Sequence, residues 1–218
     1  MIALENIALR QGSFELSDLS LELAAGEYGV LMGRSGCGKT TVLEAVCGLR
    51  NISGGRIILG GRDVTQLPPA ERGVGYVPQD RALFPTMLVR EQLAFALVLR
   101  ALGQAEIGGR VHELAQLLGI TESRDRPPDK PSGGEAQRAA LGRAPAHPPS
   151  APCAGAPLAA LREGLLAAGW RPRQRVHRET GVTILHITHS PSEARRLAGC
   201  HFRLADGKVT RDENRSCA

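Results

Sequence analysis

Aromatic side chains make up only 3% of the 218 residues of this chain. The net charge is +5, but lysine and arginine are scattered along the sequence rather than gathered around aromatic residues. Single-stranded nucleic acid is usually bound by aromatic platforms within a basic groove. We therefore expect no nucleic-acid partner, and the basic balance by itself identifies no other partner.

Cysteine is present without a recognisable pattern. The five cysteines form no C-x-x-C pair and have no metal-ligand spacing with the histidines.

No apolar run approaches the roughly 20 residues that span a bilayer, and the amino terminus lacks a charged segment followed by a long apolar block. A reduced, cytosolic protein is the simplest interpretation, in which any membrane role comes through a partner.

A glycine-rich motif is the most informative feature that is present. Residues Gly33–Thr40 read GRSGCGKT and fit G-x-x-x-x-G-K-[ST] at every fixed position. Glycines let the backbone present successive N–H groups to an anion, beside the positive end of the following helix. Lys39 would reach the β- and γ-phosphates, and Thr40 would ligate Mg²⁺. With glycine usage of about 7%, a chance match has a probability on the order of one in a hundred, so a site for ATP or GTP is preferred.

The periodicity of apolar residues predicts an α/β fold. Alternating positions over Ile2–Leu9 and Phe14–Leu23 indicate antiparallel strands. Further strands are expected over Gly29–Met32, Arg56–Leu59, Val74–Val77 and Val182–Ile187, with a hairpin over Phe202–Val209 around Asp206-Gly207.

Helices are predicted after the glycine-rich motif, over Lys39–Leu49, and near the end of the chain, over Pro191–Leu197. A helical pattern also runs from Val89 to about Leu118, with a break at Gly108-Gly109. We interpret this pattern as a small helical subdomain, at approximately 88–145, inserted into a single domain over 1–218.

Three more motifs follow the glycine-rich one. Gln79 precedes Leu83-Phe84-Pro85, SGGEAQR occupies Ser132–Arg138, and ITHS occupies Ile187–Ser190. In this order and spacing, over nearly the whole chain, the sequence resembles the nucleotide-binding subunits of ABC transporters, and importer-type ATPases of bacteria most of all. The resemblance implies a P-loop NTPase with a mostly parallel core sheet, an amino-terminal antiparallel β subdomain and an inserted helical subdomain.

The resemblance also implies ligands, partners and residue roles. ATP and Mg²⁺ are the implied ligands, with Thr40 and Gln79 at the metal; Gln79 would also sense the membrane partner, and His189 would be the switch histidine at the γ-phosphate. The nucleotide-binding positions are Gly33, Ser35, Gly36, Cys37, Gly38, Lys39, Thr40 and Thr41, with the signature loop Ser132, Gly133, Gly134 and Glu135. That loop closes on the nucleotide of the opposite subunit in a head-to-tail dimer. A membrane permease and a solute-binding protein are the other implied partners, at the cytoplasmic face of the inner or plasma membrane.

Chemistry supports two of these assignments independently. Ser132-Gly133-Gly134 offers a hydroxyl and N–H groups at a helix amino terminus, and His189 follows a strand, where α/β sheets place ligands. Read alone, the first would be a plain N-cap and turn, and the second a structural histidine.

The family also stacks adenine on an aromatic residue of its first sheet. Gln11 occupies the expected position, and Phe14, which could equally be a core residue, is the nearest candidate.

The sequence departs from the family pattern at the catalytic carboxylates. The family carries an apolar strand that ends in Asp-Glu just before Pro-Leu. Reading back from Pro157, the strand falls on Ala151–Ala154, and the Asp-Glu pair is replaced by Gly155 and Ala156; Arg162 replaces a further Asp. Losing a positioned general base typically costs ~10²- to 10⁴-fold in rate. We expect ATP binding, coupled to solute transport through a membrane subunit, without fast hydrolysis.

Two accounts of these departures remain. A decayed gene copy or a locally misread sequence is preferred over a catalytically silent, regulatory subunit, because regulation would not require Pro152 in a core strand. Resequencing decides between them, since recovery of Asp-Glu before Pro157 would remove the second account. A soluble ABC protein of DNA repair or translation fits less well. Chromosome-type members carry a long coiled coil and translation-type members carry two ATP-binding domains, and this sequence has neither.

Overall fold

The antiparallel part of the predicted fold forms a four-stranded sheet at the amino-terminal side of the chain. The computed structural model describes residues 1–12, 14–78, 83–99, 101–128, 133–143, 158–161 and 170–212. Within these, the first sheet has the order β2-β1-β4-β5 and consists of β1 (Ile2–Gln11), β2 (Phe14–Leu23), β4 (Gly54–Leu59) and β5 (Arg62–Asp63). The predicted pairing of the first two strands is confirmed.

A second sheet of six strands forms the core of the fold. Its order is β10-β9-β3-β8-β7-β6, and all neighbours are parallel except the last hairpin. The strands are β3 (Tyr28–Met32), β6 (Val74–Val77), β7 (Leu158–Leu161), β8 (Thr183–Ile187), β9 (Cys200–Ala205) and β10 (Lys208–Arg211). The hairpin predicted around Asp206-Gly207 is confirmed, with φ values of 50° and 76° that suit a tight turn.

Strand β3 is buried on both faces. Val30 packs into one core, which the parallel sheet shares with most of the helices, and Leu31 packs into a second core between the two sheets. In β8, Ile184 likewise packs into the first core and Leu185 into the second. A strand covered on both faces reads as a continuous apolar run, and this explains why the sequence of β8 shows no alternation.

Six α-helices are present in the described part of the chain. They are α1 (Lys39–Cys47), α2 (Val89–Val98), α3 (Gln104–Leu118), α4 (Gly133–Arg143), α5 (Trp170–Thr180) and α6 (Pro191–Leu197). Helix α1 lies between the two sheets, whereas α2, α3 and α4 pack on one another through the other core. Within the described residues, no helix combines the length and the apolar character needed to cross a membrane.

The break predicted at Gly108-Gly109 is wrong. Helix α3 continues through both glycines, and the chain breaks earlier, between the end of α2 and Gln104. Ile107, Val111 and Leu114 are buried along one face of α3. Their packing outweighs a cost of roughly 1 kcal/mol for each interior glycine.

The position predicted for one central strand is also wrong. The strand between β6 and β8 is Leu158–Leu161. From the sequence, the strand was expected at Ala151–Ala154, and Leu158–Leu161 was expected to follow it. This run has no proline, and it pairs in parallel with both neighbours, whereas Pro152 could not donate a ladder hydrogen bond in a central strand. Gly155, Ala156 and Arg162 lie outside the described residues.

Glycine-to-alanine substitutions test this description of the helices. Gly108→Ala and Gly109→Ala should each raise the free energy of unfolding by about 0.5–1 kcal/mol, because both sites are exposed and a Cβ would meet nothing within 4 Å. Gly142→Ala in α4 should lower it by about 1–3 kcal/mol, since its Cβ would lie 2.5 Å from Leu118 Cδ1 and 2.6 Å from Leu93 Cδ2. Denaturant titration measures all three, and destabilisation by Gly108→Ala would contradict a continuous α3.

Candidate functional site

The candidate site lies at the carboxyl ends of the parallel strands. Strand β3 leads into the glycine-rich loop, and its neighbour β8 leads into His189, with Leu31 paired in register with Ile187. The Thr188 N–H donates to the Leu31 carbonyl at 3.4 Å, so the two chain segments stay adjacent just beyond the end of β8. Parallel α/β sheets place ligands at this edge.

Glycine is sterically required at two positions of the loop. A Cβ on Gly33 would lie 2.5 Å from the Leu204 carbonyl oxygen and 2.7 Å from Cys37 Sγ. A Cβ on Gly38 would overlap the Phe14 ring, and the φ of 100° at Gly38 is itself unfavourable for other residues. The backbone of the loop is therefore packed tightly between β9 and the start of β2.

The amino end of α1 is suited to bind an anion. Its N-cap is Gly38, no side chain caps it, and its first turn contains no acidic residue. The first N–H groups of any helix lack intrahelical partners and carry the positive end of the helix dipole. Ser35 and Gly36 are exposed beside this end, and Gly36 has a φ of 81° with open space where a Cβ would be. The cradle fits phosphate groups.

Lys39 lies across this cradle. Its Nζ donates to the carbonyl oxygens of Gly33 and Arg34, at 2.9 Å each, and the residue is only 7% exposed. The ammonium group is thus held by the loop itself, next to the helix end. Phosphate oxygens reaching the loop would compete with these two carbonyls for the same donor groups.

Two threonines follow Lys39 directly in the sequence of α1. Thr40 is half-buried and Thr41 is buried, both in the first turn of the helix. In the described part of the chain, no group of three or more His, Cys, Asp or Glu side chains could hold a metal ion. The Thr40 hydroxyl and a phosphate are oxygen ligands of the kind that Mg²⁺ accepts. Gln79, the other predicted metal ligand, lies outside the described residues, just after β6.

His189 is exposed at the turn between β8 and α6. The turn is held by hydrogen bonds on either side of it: Ser190 N donates to Thr188 Oγ1 at 3.1 Å, and Thr188 Oγ1 donates to Glu193 Oε2 at 2.7 Å. Ser190 caps α6 by accepting from Glu193 N at 3.3 Å. The backbone that carries His189 is therefore well defined at the ligand edge.

The predicted signature loop is only partly described. Ser132 lies outside the described residues; α4 begins at Gly133, and Gly134 and Glu135 follow in its first turn. The Ser123 hydroxyl donates to the Glu135 carboxylate. Helix α4 belongs to the core of α2 and α3, whereas the glycine-rich loop leads into the core between the sheets. The two predicted anion-binding loops are thus built on different packing units.

Phe14, the adenine-stacking candidate, packs against the phosphate loop. Its ring is half-buried in the core between the sheets and lies next to Gly38. This contact places an aromatic edge beside the end of the loop. Adenine stacking stays a prediction.

Two buried polar residues that contact elements of the site were not predicted from the sequence. Gln92 is fully buried and clamps the segment after Gln79: its Nε2 donates to the Phe84 carbonyl at 2.7 Å, and its Oε1 accepts from Phe84 N at 3.2 Å. Arg72 is 6% exposed and binds the far end of α1. No periodic or motif signal marks either residue, because each is recognised only by what it contacts.

Comparisons with known proteins agree with this architecture. A family model described as ABC transporter matches residues 16–152. A molybdate/tungstate import ATP-binding protein of Thermococcus kodakarensis is 40% identical over 89% of this chain and 59% of its own length. A sulfoquinovosyl glycerol transport ATP-binding protein of Agrobacterium fabrum is 41% identical over 88% of this chain and 53% of its own length. The chain therefore spans between half and three-fifths of the length of these relatives.

Solved structures match the fold. A dimeric ATP-binding cassette in a post-hydrolysis state with ADP and Pi has a TM-score of 0.79 at 23% identity, covering 99% of this chain and 100% of that one. A structure described as the ATP-binding subunit of an ABC transporter has a TM-score of 0.82 at 22% identity, covering 97% of this chain and 89% of that one. Both likenesses concern the arrangement of helices and strands.

Thiol reactivity tests the description of the loop and of α1. Burial raises the pKa of the Cys47 thiol to about 12, against the opposing effect of the Arg72 charge. N-ethylmaleimide at pH 8 should label half-buried Cys37 and leave Cys47 and Cys200 unlabelled until the protein unfolds, because both are buried. Peptide mapping of a Cys153→Ser/Cys217→Ser variant measures this; native labelling of Cys47 as fast as that of Cys37 would contradict it.

The same thiol predicts a pH dependence of stability. The folded protein holds the Cys47 proton more tightly than the unfolded chain, whose thiol has a pKa near its ordinary value of 9.0. This contribution is fully present below about pH 9 and is lost as the pH rises toward about 12. A Cys47→Ala variant should lose stability less steeply over that range, and an identical slope in both proteins would contradict the assignment.

Proposed function

This chain belongs to the ABC transporter family, and from that membership we propose that it is the ATP-binding subunit of an importer. The observation that carries the proposal is the uncapped amino end of α1 behind a glycine-restricted loop, at the ligand edge of the parallel sheet. The import and transport proteins among its relatives support the importer class. In this proposal, ATP binding and hydrolysis drive solute transport through a separate membrane subunit.

Each site residue has a role in the proposal. The loop N–H groups and Lys39 bind the phosphates, Thr40 and Gln79 bind Mg²⁺, and His189 contacts the γ-phosphate. Mg²⁺, when bound, neutralises charge on the phosphate oxygens. Lys39 fits its role because its ammonium already lies at the loop, within 2.9 Å of two loop carbonyls.

The proposal includes a second ATP-binding subunit. Ser132–Glu135 of one subunit contact the nucleotide of the other in a head-to-tail dimer, which agrees with the separate packing of α4 and the phosphate loop. A dimeric cassette among the structural matches supports the formation of a dimer. The remaining partners are a permease and a solute-binding protein, and the subunit is peripheral at the cytoplasmic face of the membrane.

The comparisons favour a transport ATPase over a non-hydrolysing subunit or a decayed copy, because the relatives are named as import and transport ATP-binding proteins. The positions predicted for the Asp-Glu pair nevertheless hold Gly155 and Ala156, and in the sequence they precede the observed strand Leu158–Leu161 instead of following it. We therefore propose slow hydrolysis, in which bound water is polarised without a carboxylate from those two positions.

Nucleotide binding tests the phosphate site. Lys39→Ala should weaken ATP binding by about 10- to 150-fold, the equivalent of one or two charge-assisted hydrogen bonds. Isothermal titration calorimetry measures the affinity, and Lys208→Ala, which removes an exposed lysine of β10, is the matched control and should bind ATP as the wild type does. Equal affinities of wild type and Lys39→Ala would refute the site.

Single-turnover hydrolysis tests the catalytic part of the proposal. Wild type with Mg²⁺ should release phosphate slowly, and His189→Ala should abolish the release. A Gly155→Asp/Ala156→Glu variant should accelerate it by about 10²- to 10⁴-fold if a positioned base is restored. ATP binding without any phosphate release by the wild type would support the non-hydrolysing alternative instead. An unchanged rate in the double variant would mean that these two positions are not the carboxylate sites.

A further inference from the structure

Arg72 binds the carboxyl end of the phosphate-binding helix. Its Nη1 donates to the carbonyl oxygens of Ala45 at 2.7 Å and Val46 at 3.2 Å, in the last turn of α1. Its Nε donates to the Leu67 carbonyl at 2.8 Å, and its Nη2 donates to the Thr65 carbonyl at 3.0 Å. One side chain thus joins α1 to the segment that follows β5.

The charge of Arg72 has no carboxylate partner among the described residues. All four of its acceptors are backbone carbonyls, and it takes part in none of the ion pairs in that part of the chain. Arg50, at the same end of α1, differs in this respect, because its Nη2 lies 3.0 Å from Glu44 Oε2. A buried charge without a counter-ion is stabilised by dipoles, and the largest dipole here is that of α1.

The space for the guanidinium is kept open by a glycine. Gly48 follows α1 with a φ of 78°, and a Cβ on it would lie 2.5 Å from Arg72 Nε. Its N–H donates to the Ala45 carbonyl at 3.1 Å, so Gly48 and Arg72 share an acceptor at the helix end. Burial lowers the pKa of the Arg72 guanidinium, but arginine remains protonated at neutral pH.

We propose that Arg72 is a positioning residue of the phosphate site, which it serves by fixing α1 and by raising the positive potential at the amino end of that helix. This inference rests on the proposed ATP binding. A cation at the carboxyl end offsets the negative pole of the helix and leaves the positive pole uncompensated. Helix α1 has nine residues, so the two ends are about 14 Å apart. Because Arg72 is buried, solvent screens its charge less over this distance than it would screen the charge of an exposed residue.

The same contacts connect the phosphate helix to β6. Arg72 lies two residues before β6, the strand that leads toward Gln79. Holding the last turn of α1 therefore also fixes the start of this strand relative to the helix. Arg72 acts on the two elements that carry the proposed phosphate and Mg²⁺ ligands, although it lies at the opposite end of both.

Because Arg72 raises the positive potential at the amino end of α1, its contribution to binding should grow with the number of phosphate charges on the ligand. Arg72→Met should weaken ATP binding more than ADP binding, by about threefold for the additional charge, and should leave adenosine binding unchanged. Arg72→Lys keeps the charge and loses the fork of donors, so it should retain the ATP-to-ADP affinity ratio of the wild type while unfolding more easily. Calorimetric titrations with ATP, ADP and adenosine at 50 mM and 500 mM salt measure the ratios, with thermal unfolding in parallel.

Arg50→Met is the matched control, since the Arg50 side chain is 29% exposed and solvent screens its charge more than that of buried Arg72, so the ratio should change much less than in Arg72→Met. Gly48→Ala displaces the guanidinium without removing its charge, so it should lower stability and keep the ratio. An unaltered ratio in folded Arg72→Met would overturn the proposal. If Arg72→Met does not fold, a changed ratio in Arg72→Lys overturns it, and an unchanged ratio there supports it. Failure of the wild type to bind ATP would instead refute the proposed function.

Discussion

Strand β3 can enter the phosphate loop in only one orientation, because Val30 and Leu31 are packed into different cores on its two faces. A rotation or a one-residue shift of the strand would move both side chains into the wrong core. The loop that follows is held just as firmly, since Gly33 and Gly38 lie where no Cβ could fit. The start of α1, and with it the direction of its N–H groups, follows from these contacts.

Charge is arranged around α1 in agreement with this geometry. The amino end has neither a capping side chain nor an acidic residue, and Lys39 lies beside it. The carboxyl end is covered by the buried guanidinium of Arg72. Both features favour negative charge at the amino end, and the second acts through the helix dipole rather than through contact with a ligand. In the proposed function, the helix thus links Arg72 to the phosphate site.

Much of the fold was predictable from local sequence. The glycine-rich motif, the paired first strands, β6, β8, α6 and the last hairpin each carry a pattern that depends on residues close in the chain. The predictions that failed depended on distant residues. Gly108-Gly109 reads as a break, but buried neighbours keep α3 continuous. The strand Leu158–Leu161 has a weak signal of its own, and its partners β6 and β8 are far away in sequence.

Local sequence was enough to predict the class of ligand, because turning tightly around phosphates requires glycines, a lysine and a hydroxyl at fixed local spacings. It also determined the order of the motifs, from which the family could be inferred. The polar residues that support the proposed site became evident only from the contacts of the folded chain. Arg72 and Gln92 are ordinary polar residues in the printed sequence, and their roles arise because folding removes them from water and leaves specific backbone groups as their partners.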